Sequence, residues 1–79
     1  MMRAKMKIES VERFDTSERL KMRPVCKPGG YPADGSDEDN TFAKFSPSGS
    51  LELTITNPNL IGKFNPGEAY YLDFTKAES

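Results

Sequence analysis

The chain has no histidine and no tryptophan, and it has a single cysteine, Cys26. Without histidine the commonest general base near neutral pH is missing, and with it the Ser-His and Cys-His nucleophile pairs. One cysteine and no histidine cannot supply the usual four ligands of zinc. A lone cysteine makes no internal disulfide, which excludes a disulfide-stapled secreted scaffold. Cys26 would need a cation beside it to become a reactive thiolate. Lys27 is adjacent, but neighbours along a strand point to opposite faces, so Cys26 reads as a plain core residue. No apolar run approaches the ~20 residues of a membrane span, and no apolar segment follows the basic residues 1–7 as a secretory signal would require. A cytoplasmic location is the expectation. The net charge is only −1, so no bulk field draws the chain to nucleic acid or membrane.

What is present is short and patterned. Seventy-nine residues suit one domain, residues 1–79, with a small core and little room for a pocket of ~300 Å³ or more. That argues against an enzyme of small molecules, and no catalytic residue, metal site or cofactor is expected. Residues 4–8, Ala-Lys-Met-Lys-Ile, alternate strictly and predict a strand. Val11 and Phe14 fall out of phase with Ile8, so a bulge or bend near Glu9-Ser10 is expected in a first strand from Arg3 to Phe14. After a turn at Asp15–Glu18, Arg19–Lys27 alternates again, with Leu20, Met22 and Cys26 on one face and Pro24 interrupting the ladder. These two runs should pair as a hairpin.

Residues 28–40 form a long aperiodic loop with three Gly, two Pro, four acids and Tyr31. Loops of this length are often functional or mobile, and mobility is the expectation here. Its acids, Asp34, Asp37, Glu38 and Asp39, lack the EF-hand spacing and read as a solvated acidic loop. Gly29-Gly30 lacks the spacing of a phosphate-cradling loop. Thr41–Phe45 is a predicted short strand, Ser46–Gly49 a tight turn, and Ser50–Thr56 the cleanest strand, with Leu51, Leu53 and Ile55 inward. Asn57-Pro58 resembles a helix start, predicting one helical turn over 59–63 ended by Gly62. Asn65–Glu68 reads as a second turn. Ala69–Thr75 is the last predicted strand, with Tyr70, Leu72 and Phe74 on one face, and residues 76–79 are a frayed tail. Phe42, Phe45, Phe64, Tyr70 and Phe74 read most simply as core.

The expected fold is therefore all-β: a small five-stranded antiparallel barrel or half-barrel, OB-like or Src-homology-3-like, with one helical turn before the last strand. A two-sheet sandwich is the alternative. Phe-Ser-Pro-Ser-Gly-Ser-Leu-Glu-Leu-Thr-Ile-Thr-Asn-Pro (45–58), Gly-Lys-Phe-Asn-Pro-Gly-Glu-Ala-Tyr-Tyr-Leu-Asp-Phe (62–74) and the opening Arg-Ala-Lys-Met-Lys-Ile (3–8) resemble short hypothetical proteins encoded by tailed bacteriophages and prophages. The loop at 28–40 departs from the shorter form of those proteins. The resemblance implies a phage setting and a β-rich fold, and it transfers no catalytic or binding residue.

Charge is unevenly spread. Residues 1–27 hold eight Lys/Arg and four Asp/Glu, net +4, and residues 28–79 hold three and eight, net −5. If the first two strands pair, Arg3, Lys5 and Lys7 lie on one face with Arg19, Lys21 and Arg23. Such a stripe tolerates its own repulsion only if acids such as Glu52 or Asp73 interleave. Two functions follow as expectations. One is a non-enzymatic phage-encoded binding protein acting by protein–protein contact, an inhibitor of a host or defence factor or a small virion accessory protein. It would use Arg19, Lys21 and Arg23 with Tyr31, Asp37, Glu38 and Asp39 of the loop, and self-association fits it. The alternative is a single-strand nucleic-acid-binding module using Arg3, Lys5, Lys7, Arg19, Lys21, Arg23 and a stacking Tyr71.

Overall fold

The computed structural model describes residues 2–78; Met1, first of the basic N-terminal stretch, and Ser79, last of the expected tail, lie outside them. Four strands form: β1 (Met2–Arg13), β2 (Glu18–Pro24), β3 (Leu51–Ile55) and β4 (Ala69–Phe74). They make one antiparallel sheet in the order β3-β2-β1-β4. The curled sheet is a half-barrel. Of the five expected strands, the one at Thr41–Phe45 is absent, and the two-sheet alternative gives way to a single sheet.

β1 is the spine, and it serves its two neighbours with different halves. Met2–Lys7 pairs with β4, whereas Met6–Arg13 pairs with β2, the two ranges overlapping only at Met6 and Lys7. The register with β2 slips between Ile8 and Ser10. That bulge sits where the sequence phase breaks, and it restores Val11 to the face of Ile8, opposite Leu20. The hairpin closes with Phe14 N donating to Ser17 O at 2.9 Å.

Each half of β1 has its other side satisfied by a loop. Beyond Pro24 the chain drifts from β1 after one more bond, Val25 N to Lys5 O, and residues 40–41 take over the ladder. Thr41 N donates to Arg3 O at 3.0 Å, Thr41 Oγ1 accepts from Arg3 N at 2.8 Å, and Asn40 Oδ1 accepts from Lys5 N at 2.9 Å. At the other end Ile8 N donates to Glu68 O and Gly67 N to Ile8 O. Buried backbone groups must be paired, and these loops do it where no strand reaches.

Two expected local structures fail for identifiable reasons. Thr41–Phe45 turns instead of extending, with Ala43 N bonded to Asn40 O at 3.2 Å. Phe42 then packs on the core while Phe45, at φ 58°, swings outward onto Tyr31 with ring centroids 6.2 Å apart. Residues 46–50 follow as irregular chain with no regular turn. Asn57–Gly62 forms successive turns and no helix. Asn57 Oδ1 accepts from Asn59 N at 3.0 Å, a side-chain turn that competes with helix nucleation in so short a segment.

The buried apolar residues are Ala4, Met6, Ile8, Leu20 and Met22, with Val11, Phe42, Leu51, Phe64, Tyr70 and Leu72 packed partly against the cluster that Ala4, Met6, Ile8 and Met22 form. Cys26, expected in this core, is exposed, because β2 ends at Pro24 and the alternation ends with it. Phe74, on the terminal pair with Met2, stays 49% exposed.

Candidate interaction surface

The sheet has two faces of opposite chemistry. Strand pairing carries Leu51, Leu53 and Ile55 of β3 onto the face of Met22, Leu20 and Glu18, and Tyr70 and Leu72 of β4 onto the face of Met6 and Ala4. This is the concave, apolar face. Because β3 and β4 flank β2 and β1 at opposite edges, the curl leaves a groove of about 280 Å³ between them. Leu20, Leu51, Leu53, Leu60, Phe64 and Leu72 are among the residues lining it. Its walls are incompletely covered: Leu53 is 50% exposed and Leu60 42%.

One end of the groove is held by an ionisable side chain that faces the core. Glu18 is fully buried. Its Oε2 accepts from Arg13 Nε at 2.7 Å, and its Oε1 accepts from Gly62 N at 3.2 Å. Arg13 in turn donates to Phe64 O at 3.4 Å. The pair thus pins the 57–64 turn, with Leu60 and Phe64, over the end of the sheet. A charge is tolerated there because both carboxylate oxygens are partnered.

The convex face carries the basic stripe. Lys7 stands opposite Arg23, Ser10 opposite Lys21, Glu12 opposite Arg19, Arg3 opposite Asp73 and Lys5 opposite Tyr71. All six stripe cations and Tyr71 therefore share one face. Acids interleave closely: Arg3 Nε and Nη2 grip Asp73 at 2.7 and 3.1 Å, Arg23 pairs with Glu9, and Lys5 lies 3.7 Å from Asp39. Arg19 reaches Glu12 and Glu52 at 3.8 and 3.6 Å, and Lys21 reaches Glu12 at 4.0 Å. The Arg3 hydrogen bonds hold the Asp73 carboxyl below its ordinary 3.8. Tyr71 is 53% exposed, but one face of its ring is occupied by Arg3 at 4.6 Å and its hydroxyl donates to Asp39 at 3.1 Å.

The loop of residues 28–40 is fastened to the sheet. Asn40, 1% exposed, bridges β1 to the end of β2, accepting from Lys5 N and donating through Nδ2 to Val25 O at 2.9 Å and Asp37 Oδ2 at 3.2 Å. Asp37 is itself buried, its Oδ1 accepting from Asp39 N at 2.9 Å. Desolvation raises the Asp37 pKa, but the bonds from Asp39 and Asn40 outweigh it and leave the group below its ordinary value. Asp37 is therefore ionised at neutral pH, but at 5% exposure its charge is spent on holding the loop's shape and is not offered to a partner. Glu38 pairs with Lys27 at 3.0 Å, and Tyr31 Oη accepts from Lys27 N at 3.1 Å. Asp37, Glu38 and Asp39 thus point to three different partners, and among the described residues no three such groups gather where a metal ion could sit. Among the described residues no helix is long and apolar enough to cross a membrane.

Phe45, Phe64 and Tyr71 do not form one exposed cluster: they stand against Tyr31, Tyr70 and Arg3 respectively. Sequence reasoning missed Glu18 and Asn40. Glu18 shares the even parity of Leu20 and Met22, so its inward direction was legible once the strand was allowed to begin there. Asn40 gives no such signal, because its partners are 15 and 35 residues away. No protein-family model, no curated protein and no solved structure matches the chain.

Proposed function

We propose that the chain is a non-enzymatic binding protein whose working surface is the concave apolar face. What carries this reading is the incomplete cover of that face: Leu53 and Leu60 remain about half exposed beside a groove of about 280 Å³. Exposed apolar concavities of this kind fit protein contacts, where side chains of the partner fill the pocket and exclude water. Of the residues first expected to make the contact, Arg19, Lys21 and Arg23 lie on the opposite face, where their part is limited to steering and solubility, and Tyr31, Asp37, Glu38 and Asp39 lie in the 28–40 loop outside the groove lining. In the phage setting that the sequence resemblance implies, the roles compatible with such a surface are inhibition of a host or defence factor and accessory contact within a virion, in the cytoplasm or the particle respectively.

The nucleic-acid reading has one observation in its favour, the gathering of six cations and Tyr71 on one face. It is the weaker reading because Glu9, Glu12, Glu52, Asp39 and Asp73 pair with five of those cations. A phosphate backbone would have to displace those acids.

Site-specific photocrosslinking tests the proposal. Benzoylphenylalanine at position 53 on the concave face is expected to cross-link to protein in the expressing cell, while the same group at position 21 does not. Cross-links from position 21 to nucleic acid, with none to protein from position 53, would refute it.

A further inference from the structure

We infer that the protein covering the concave face is a second copy of this chain, packed sheet against sheet as a twofold dimer. The inference rests on the reading of that face as a protein-contact surface and names its occupant.

The chain exposes 5724 Å² for a mass of 8.8 kDa. A compact monomer of that mass exposes roughly 4,770 Å². The excess, about 950 Å², is close to the ~800 Å² that each partner loses in a standard interface. The shape agrees. The radius of gyration is 14.5 Å and the shortest extent 16 Å, against about 11.6 Å for the radius of a compact chain of this length. Domains bury their apolar faces between at least two layers, and this chain supplies one.

Among the described residues only five apolar side chains are buried, so the uncovered face is the remainder of the core. A layer needed whenever the chain is folded is supplied most directly by the chain itself. Along the groove the one ionisable group turned inward from β2 is Glu18, buried and paired with Arg13. Two such faces meet without opposing like charges, as a twofold contact requires. The convex faces, with their ion pairs, stay in water.

Sedimentation equilibrium on the wild-type chain is the first experiment. The expected mass is about 17.6 kDa, twice the 8.8 kDa of the chain, with a thermal midpoint that rises with protein concentration. Leu53→Asp is expected to weaken the dimer at least ~100-fold, since it buries an unpaired carboxylate, while Lys7→Ala on the convex face leaves it intact. A loss of folding in Leu53→Asp would leave the dimer unread, so a second measurement uses the wild type alone. In a mixture of labelled and unlabelled chains, intermolecular NOEs are expected from the Leu53 and Leu60 methyls to the Phe64 and Tyr70 rings. A folded 8.8 kDa particle at every concentration, or a dimer lacking those NOEs, overturns the inference. A monomer whose position 53 cross-links to a different protein overturns the second copy but keeps the contact reading. A monomer with no protein cross-link from that position, including one that only partitions into lipid vesicles, overturns both.

Discussion

Replacing Asn40 by alanine should unfasten the long loop from the sheet. The side chain is 1% exposed and makes three hydrogen bonds, to Lys5 N, Val25 O and Asp37 Oδ2. Alanine leaves the Lys5 amide and the Val25 carbonyl unpaired at the point where β2 leaves β1. Each stranded buried group costs about 1–3 kcal/mol. Lys5 is only half-buried, so water relieves part of its loss, and the total should fall near 2–4 kcal/mol. A domain of this size has about 4–12 kcal/mol in all, and a midpoint falls by about 4–8 °C per kcal/mol. Asn40→Ala should therefore lower the melting temperature by about 10–30 °C, read by circular dichroism beside the exposed control Asn59→Ala. Asn40→Asp separates the roles of the two ends of the amide. Its carboxylate still accepts from Lys5 N but faces the Asp37 carboxylate and the Val25 carbonyl without a proton to donate. It should be worse than alanine at neutral pH and recover in acid. A loss below about 0.5 kcal/mol for Asn40→Ala, the size of an ordinary surface change, would refute the bridging role.

Further expectations concern the other fixed points. Gly35 has φ +74°, and an added Cβ would meet Phe45 ring carbons at 2.6 Å, so Gly35→Ala should cost about 1–3 kcal/mol in urea unfolding. Combining it with Phe45→Ala should restore the part due to the clash and leave the backbone strain; full additivity of the two losses would argue against the contact. Glu18→Ala removes the acceptor of Gly62 N and the partner of Arg13, and should cost about 2–4 kcal/mol with faster hydrogen exchange at Gly62; unchanged exchange there would count against the pin. Asp34, Asp37, Glu38, Glu68 and Asp73 all lie below their ordinary values of 3.8 or 4.5 when folded. The unfolded chain then takes up protons first, so stability is full above those ordinary values and falls as pH drops through the folded ones. A urea midpoint lower at about pH 3 than at about pH 6 is expected, with a smaller difference in Asp73→Asn.

The strand periods, the bulge and the charged stripe could be read from the sequence because each is a local alternation. Ala4, Met6 and Ile8 share a face in any strand, and the phase break after Ile8 can be repaired only by an extra residue. The same alternation put Arg3, Lys5, Lys7, Arg19, Lys21 and Arg23 together once the hairpin formed, and required acids between them. What alternation cannot state is how far a strand has partners. Thr41–Phe45 has a strand-like composition, but Asn40 before it is drawn into the gap between β1 and Val25, and the chain turns to make room. Cys26 keeps the parity of Met22, yet β2 has already left β1. Leu53 points inward as its parity dictates and is still half exposed, because direction is local whereas cover depends on a second layer. The polar residues that hold the tertiary structure, Glu18 and Asn40, bond across up to 44 and 35 residues of chain. Their roles were decided only when those distant backbone groups came within hydrogen-bonding reach.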